Sequence, residues 1–154
     1  MVKVFIFYDS KYGNTKLASE KIAEGLKTAA IAVDLGYVKE IHPEVAANYH
    51  VIVLGAPNHM ASPSRTMKKI VSKLGEFDLK TTQVAIFGTY SGRLRSVDRA
   101  VKKLGKMVEE KLPNVKLISP SLSVRVSGVT GPIVEGELPK CVDFGKKIAE
   151  HLRS

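Results

Sequence analysis

The residues best suited to chemistry lie in three short segments, each of which follows an apolar run. The first segment, residues 9–15, reads Asp-Ser-Lys-Tyr-Gly-Asn-Thr and connects a buried strand to an amphipathic helix. Free backbone N–H groups and the helix dipole at such a helix start favour a bound anion. Gly13 would let the backbone approach a ligand closely. The alternative is simple capping of the helix by Asn14 or Thr15.

This first segment predicts a phosphate site, which would consist of Ser10, Lys11, Tyr12, Gly13, Asn14 and Thr15. The segment is not a Walker motif, because it does not end in Gly-Lys-Ser/Thr. It also lacks the Gly-x-Gly-x-x-Gly pattern, which disfavours a dinucleotide site of the NAD type.

The second and third segments follow later apolar runs of the same kind. Residues 55–65 read Gly-Ala-Pro-Asn-His-Met-Ala-Ser-Pro-Ser-Arg, and residues 87–92 read Phe-Gly-Thr-Tyr-Ser-Gly. In open α/β sheets, ligands bind outside the carboxyl ends of the strands. We therefore expect the three segments to meet at one edge of a sheet.

Other kinds of chemistry find little support in the residue pattern. The four histidines, at positions 42, 50, 59 and 151, have no ligand spacing with cysteine or carboxylate residues. Cys141 lies in the last helical segment, away from the three segments, and we expect it to be an inert thiol. We expect no catalytic residue and no metal ligand.

The elements that position the three segments alternate between strand and helix. Apolar runs predict strands at residues 2–8, 31–38, 51–54, 82–87 and 115–124, the last interrupted at Pro120. Helical periodicity predicts helices at residues 15–29, 64–74, 94–112 and 139–152. The third and fourth strands should end at Gly55 and Gly88, and residues 127–137 should form a surface loop. This alternation indicates βαβ units with helices on both faces of a parallel sheet.

Length and composition favour one domain over residues 1–154. A single cysteine, no recognisable signal peptide and no apolar run of the length a membrane span needs lead us to expect a cytoplasmic protein away from the membrane. The formal net charge of +9 favours nucleic acid, anionic surfaces or acidic partners, without specifying which. Scattered helix-surface lysines would give the same charge, so we do not expect nucleic-acid binding.

All three segments resemble the FMN-binding loops of the flavodoxin family. Residues 8–15 resemble its phosphate loop, and they are closest to the flavodoxin-like domains of A-type (diflavin) flavoproteins. Residues 55–65 and 87–92 resemble the loops on the two sides of the flavin ring. The resemblance implies FMN as cofactor and adds cofactor-binding positions Pro57, Asn58, His59, Met60, Ala61, Thr89, Tyr90, Ser91 and Gly92.

The resemblance also implies a flavodoxin-like α/β three-layer sandwich with a five-stranded parallel sheet in the order 2-1-3-4-5. Two departures from the family pattern affect the flavin site. The chain has no tryptophan, and Ala61 stands where relatives usually have a glycine whose peptide flips on reduction. We expect Ala61 to resist that flip, because alanine disfavours a positive φ.

The resemblance implies an electron-transfer flavoprotein. Two alternatives remain: an FMN-dependent reductase, for example of quinones, and a flavin-free interaction module. We expect a redox partner protein with an acidic surface, because several cations lie in or just after the second and third segments. These cations are Arg65, Lys68, Lys69, Arg93, Arg95, Arg99, Lys102 and Lys103. We expect a monomer or a weak dimer.

Overall fold

The computed structural model describes residues 2–58, 62–91 and 98–153. Its strands and helices alternate along the chain. The strands are β1 (Lys3–Tyr8), β2 (Ala32–Tyr37), β3 (Val51–Pro57), β4 (Gln83–Tyr90), β5 (Lys116–Leu117) and β6 (Leu122–Arg125). The α-helices are α1 (Asn14–Lys27), α2 (Arg65–Leu74), α3 (Arg99–Lys111) and α4 (Glu137–Arg153), and a 3-10 helix covers Pro43–Asn48.

The strands form one parallel sheet in the order β2-β1-β3-β4-β5, and β6 also pairs with β4. β1 lies between β2 and β3, with Phe5 opposite both Asp34 and Ile52. This arrangement confirms the predicted α/β flavodoxin-like fold and strand order. The order reverses direction between β1 and β3, which creates a crevice at the carboxyl ends of these two strands.

Alternating side chains of the buried strands supply two cores, one on each face of the sheet. Phe7, Leu54 and Ile86 pack beneath α2 and α3. Ile6 and Val53, together with other side chains of the opposite face, pack beneath α1 and α4. The near-continuous apolar strands follow from this double coverage, and the three layers hold the carboxyl edge of the sheet rigidly.

The third and fourth strands are longer than the sequence predicts. β3 continues past Gly55 to Pro57, and β4 continues past Gly88 to Tyr90. Gly55 stays in the sheet for a packing reason, because a Cβ atom there would lie 2.0 Å from Cζ of Phe87. The prediction that these glycines end the strands is therefore wrong.

The other element boundaries agree with the sequence with small shifts. The fifth predicted strand is interrupted around Pro120, as expected, and becomes β5 and β6. The last helix begins at Glu137, two positions before the predicted Pro139. Of the predicted helix over residues 94–112, positions 94–97 lie outside the described residues, and α3 covers Arg99–Lys111. No helix among the described residues is long and apolar enough to span a membrane.

Candidate functional site

A pocket of about 200 Å³ opens at the carboxyl edge of the sheet. The first predicted segment lines it together with the ends of β3 and β4. Its lining residues are Ser10, Lys11, Tyr12, Asn14, Thr15, Pro57, Asn58, Thr89, Tyr90, Ser91, Val126 and Val129. The structure thus brings together ten of the positions chosen from the sequence, from three separate parts of the chain.

The first segment is shaped by Ser10 and Gly13. Oγ of Ser10 accepts the N–H of Gly13 at 3.1 Å and, at 3.4 Å, that of Lys16. Gly13 has φ +90° and is the N-cap residue directly before α1, where no side chain caps the helix. Capping by the side chain of Asn14 or Thr15, the alternative derived from the sequence, is therefore not what the structure shows.

The start of α1 leaves donors available for an anion. Among the described residues, neither the N–H of Asn14 nor that of Thr15 has a hydrogen-bond acceptor. Both belong to the first turn of a helix of 14 residues, where the positive end of the helix dipole lies. This part of the pocket has the donor arrangement that a phosphate group requires.

A buried hydrogen bond joins the first segment to β4. Oγ1 of Thr15 and Oγ1 of Thr89 lie 3.0 Å apart, and Thr15 is only 2% exposed. The N–H of Asn58 donates to the carbonyl of Thr89 at 2.8 Å, and the N–H of Asp9 donates to the carbonyl of Gly55 at 2.9 Å. These bonds fix the first segment, β3 and β4 relative to one another.

Two aromatic side chains, those of Tyr12 and Tyr90, line the pocket. Tyr90 is half-buried at the end of β4. Tyr12 is 47% exposed in the first segment, and Nζ of Lys11 lies 5.4 Å from its ring centroid. Flat aromatic surfaces of this kind suit a planar ring system.

Four of the predicted positions, His59, Met60, Ala61 and Gly92, lie outside the described residues, as do Arg93 and Arg95. Two lining residues, Val126 and Val129, were missed by sequence reasoning. Val129 belongs to residues 127–137, for which the sequence predicts only a surface loop, and Val126 lies between that loop and the predicted fifth strand. Topology could have identified them, since a loop that follows the last parallel strand opens at the same edge of the sheet.

Cys141 is fully buried in α4 and does not line the pocket. Burial, reinforced by the nearby Glu137 carboxylate, raises the pKa of its thiol from 9.0 to about 11. A protonated buried thiol is a poor nucleophile, which agrees with the inert role expected from the sequence.

Basic residues lie on the side of the molecule formed by α2 and α3. Arg65 and Arg99 are the first residues of these helices, which begin at the edge of the sheet that carries the pocket. Lys68, Lys69, Lys102 and Lys103 follow within the next turn. Among the described residues, the ion pairs involve other lysines, so no described carboxylate neutralises these six cations.

The fold is an α/β parallel sheet with a pocket at its carboxyl edge, at the point where the strand order reverses. The flavodoxin family model matches residues 6–124, which include the second half of β1, all of β2 to β5 and most of β6. The chain therefore belongs to the flavodoxin family, whose members bind FMN and transfer electrons to redox partners. The resemblance inferred from the three segments is confirmed.

A curated protein is similar to this chain in sequence. An NAD(P)H dehydrogenase (quinone) from Gluconacetobacter diazotrophicus is 30% identical over 108 residues, which cover 68% of this chain and 54% of that protein. The chain thus spans about half the length of this relative.

Two solved structures share the fold. A flavodoxin from the domain Archaea superposes with a TM-score of 0.82 at 19% identity, covering 99% of this chain and 100% of the other. The Flv1 flavodiiron core from Synechocystis sp. PCC6803 superposes with a TM-score of 0.78 at 18% identity, covering 99% of this chain and 36% of that one.

Proposed function

We propose that residues 1–154 act as one FMN-binding domain that carries electrons to and from a protein partner. The observation that carries this proposal is the convergence of the first segment, the end of β3 and the end of β4 on one pocket beside the start of α1. Bound FMN would supply one- and two-electron redox chemistry. The chain would hold it, orient it and limit the access of water.

The phosphate of FMN would be held by the first segment. The N–H groups of Asn14 and Thr15 are available donors, and Lys11 adds a positive charge beside them. Pro57, Asn58 and Thr89 to Ser91 would border the flavin ring with a mixture of backbone and apolar surface. His59, Met60, Ala61 and Gly92 are proposed from the sequence as further contacts with the ring.

The direct test is addition of FMN to the purified protein freed of any bound flavin. We expect saturable quenching of flavin fluorescence, with tight binding of FMN and weaker binding of riboflavin, which lacks the phosphate. A colourless protein that ignores added FMN would contradict the proposal and support a flavin-free interaction module.

A second candidate function is a reductase in which FMN passes hydride equivalents to a quinone. The name of the relative from Gluconacetobacter favours it. Steady oxidation of NADH or NADPH by the FMN-loaded protein alone, with a soluble quinone as acceptor, would identify a reductase. A carrier should show no such turnover and should need a separate reductase protein.

The partner of this carrier should present acidic groups. The α2–α3 basic surface, which we define as Arg65, Lys68, Lys69, Arg99, Lys102 and Lys103, lies beside the pocket and lacks neutralising described carboxylates. Charge of one sign around a redox centre attracts partners of the opposite sign. We further propose that the protein is cytoplasmic and a monomer or a weak dimer.

A pair of small oxidants tests the charge argument without knowledge of the natural partner. Oxidation of the reduced protein by anionic ferricyanide should slow as salt rises, because screening acts within about 8 Å at physiological ionic strength. Oxidation by the cationic tris(phenanthroline)cobalt(III) complex should accelerate over the same range. If the oxidation rates with both oxidants are independent of salt concentration, the result would contradict a basic docking surface.

A further inference from the structure

The fourth loop comprises residues 126–136, which connect β6 to α4. It contributes Val126 and Val129 to the lining of the pocket. Val126 is buried, whereas Val129 is 74% exposed, the largest exposed fraction among the large apolar side chains of the described residues. A valine with this exposure contributes little buried apolar surface to the stability of the fold, although it lines the pocket.

Hydrogen bonds within the fourth loop hold its tip in place. The N–H and the hydroxyl of Ser127 both donate to the carbonyl of Pro132, at 2.8 and 3.0 Å. The N–H of Gly131 donates to the carbonyl of Gly128 at 3.0 Å. Val129 therefore lies within a closed turn whose position is defined by the chain on either side.

The base of the fourth loop is fixed as firmly as its tip. Val126 pairs in antiparallel fashion with Ile133. The N–H of Arg125 donates to Oε1 of Glu137 at 2.8 Å, and Glu137 also forms an ion pair with Lys140. These contacts attach both ends of the loop to β6 and α4.

The fourth loop also contacts both sides of the pocket. The N–H of Val126 donates to the carbonyl of Tyr90 at 2.8 Å. Gly131, with φ +94°, lies against the side chain of Asn14, and a Cβ atom at Gly131 would be 2.4 Å from Oδ1 of Asn14. The loop thus bridges the proposed phosphate site and the proposed ring site.

We propose that the fourth loop is an additional wall of the FMN site, in which Val129 covers the apolar surface of the flavin between Asn14 and Tyr90. This inference rests on the proposed function. The chain has no tryptophan to cover the ring. An aliphatic side chain on a braced loop can exclude water from a flavin in its place.

Val129→Ser tests the proposal, because it shortens the apolar side chain at an exposed position where the folded chain loses no packing. Binding of FMN and of riboflavin should weaken by the same factor, about tenfold, which corresponds to partial burial of one valine. Val129→Ile should retain wild-type affinity. The matched control is Val45→Ser on the 3-10 helix, where Val45 is 37% exposed and does not line the pocket. It should bind both flavins like wild type.

Two results would overturn this inference while leaving the proposed function intact. One is tight FMN binding by wild type together with unchanged affinity in Val129→Ser. The other is a loss confined to FMN, which would mean that the loop acts on the phosphate site and not on the flavin itself. Failure of the wild-type protein to bind either flavin would refute the proposed function and this inference with it.

Discussion

At the start of α1, the hydroxyl of Thr15 bonds to the hydroxyl of Thr89 inside the protein. Thr15 also lines the pocket, where we propose that it contacts the phosphate. Thr15→Val removes the hydroxyl while keeping the shape of the side chain. We expect FMN affinity to fall by about 1–3 kcal/mol, the cost of a lost charge-assisted bond. Isothermal titration calorimetry with FMN measures the change.

Thr89→Val is the matched control for this prediction. It breaks the same internal bond from the other side, so both variants should lose similar stability as apoproteins, about 1 kcal/mol. The loss of FMN affinity should be larger for Thr15→Val. Equal losses in the two variants would show that the internal bond, and no contact between Thr15 and phosphate, explains the effect.

Cys141 makes the stability of the fold sensitive to alkaline pH. The unfolded chain releases the thiol proton near a pKa of 9.0, whereas the folded chain keeps it up to a pKa of about 11. The contribution of this thiol to the free energy of unfolding is therefore complete below pH 9. It is lost between pH 9 and 11, a change of roughly 2–3 kcal/mol.

The measurement is urea unfolding across this pH range for wild type and for Cys141→Ala. Because the other titrating groups are shared, the difference between the two curves isolates the thiol. The wild-type advantage should shrink as pH rises. Parallel curves would contradict the raised pKa.

At the scale of elements, α1 and α4 cross at a close backbone contact. A Cβ atom at Gly25 would lie 2.0 Å from the carbonyl oxygen of Val142, and one at Gly145 would lie 2.1 Å from that of Ile22. Gly25→Ala and Gly145→Ala should each destabilise the protein by about 1–3 kcal/mol or more, because neighbouring backbone has to move. Chemical denaturation gives the change in the free energy of unfolding.

Gly105→Ala in α3 is the control for this crossing. The nearest atom to a Cβ there, Cδ1 of Leu117, is 3.6 Å away, an ordinary contact distance. Alanine favours a helix over glycine by up to about 1 kcal/mol, so this variant should be neutral or more stable. Destabilisation by all three substitutions would mean that close approach is not the cause.

Sequence patterns predicted the elements well where one signal dominated. The buried strands follow from apolar runs, and α2 follows from helical periodicity. The structure adds that Ser64 caps α2 by accepting the N–H of Met67 at 3.2 Å. The ends of β3 and β4 could not be predicted in this way. A glycine is needed at position 55 because Phe87 of the neighbouring strand leaves no room for a side chain there. Such a contact depends on pairing that no local window contains.

Site residues could be predicted from the sequence where a local signal marks them, and not where only the tertiary structure brings them to the pocket. The first segment carries local signals, namely a glycine, short polar side chains and a helix start, so its residues could be chosen from the sequence. Val126 and Val129 carry no local signal of binding. They reach the pocket only because residues 126–136 bridge Tyr90 and Asn14, a consequence of tertiary structure.

At the scale of the whole molecule, the net charge of +9 includes a local concentration beside the pocket. Lys102→Glu combined with Lys103→Glu should slow oxidation of the reduced protein by ferricyanide and flatten its dependence on salt, because the local potential falls. Stopped-flow absorbance at the flavin band measures the rate.

The control for this prediction changes net charge equally on the other side of the sheet. Lys27→Glu combined with Lys146→Glu alters exposed positions of α1 and α4. It should affect the rate much less. If the two double variants behave alike, the total charge of the protein and not the α2–α3 basic surface governs the reaction.

The interruption between β5 and β6, at residues 118–121, has a consequence for how the protein behaves at high concentration. An uninterrupted outer strand offers a row of unpaired backbone groups to which another chain can add. Here the outer row is broken into the two residues of β5 and the four of β6, and Pro120 between them has no N–H to donate. Neither piece is long enough to template a foreign strand. The bend that divides the fifth strand thus protects this edge of the sheet against edge-to-edge aggregation, and β2 is left as the one continuous outer strand of the described sheet.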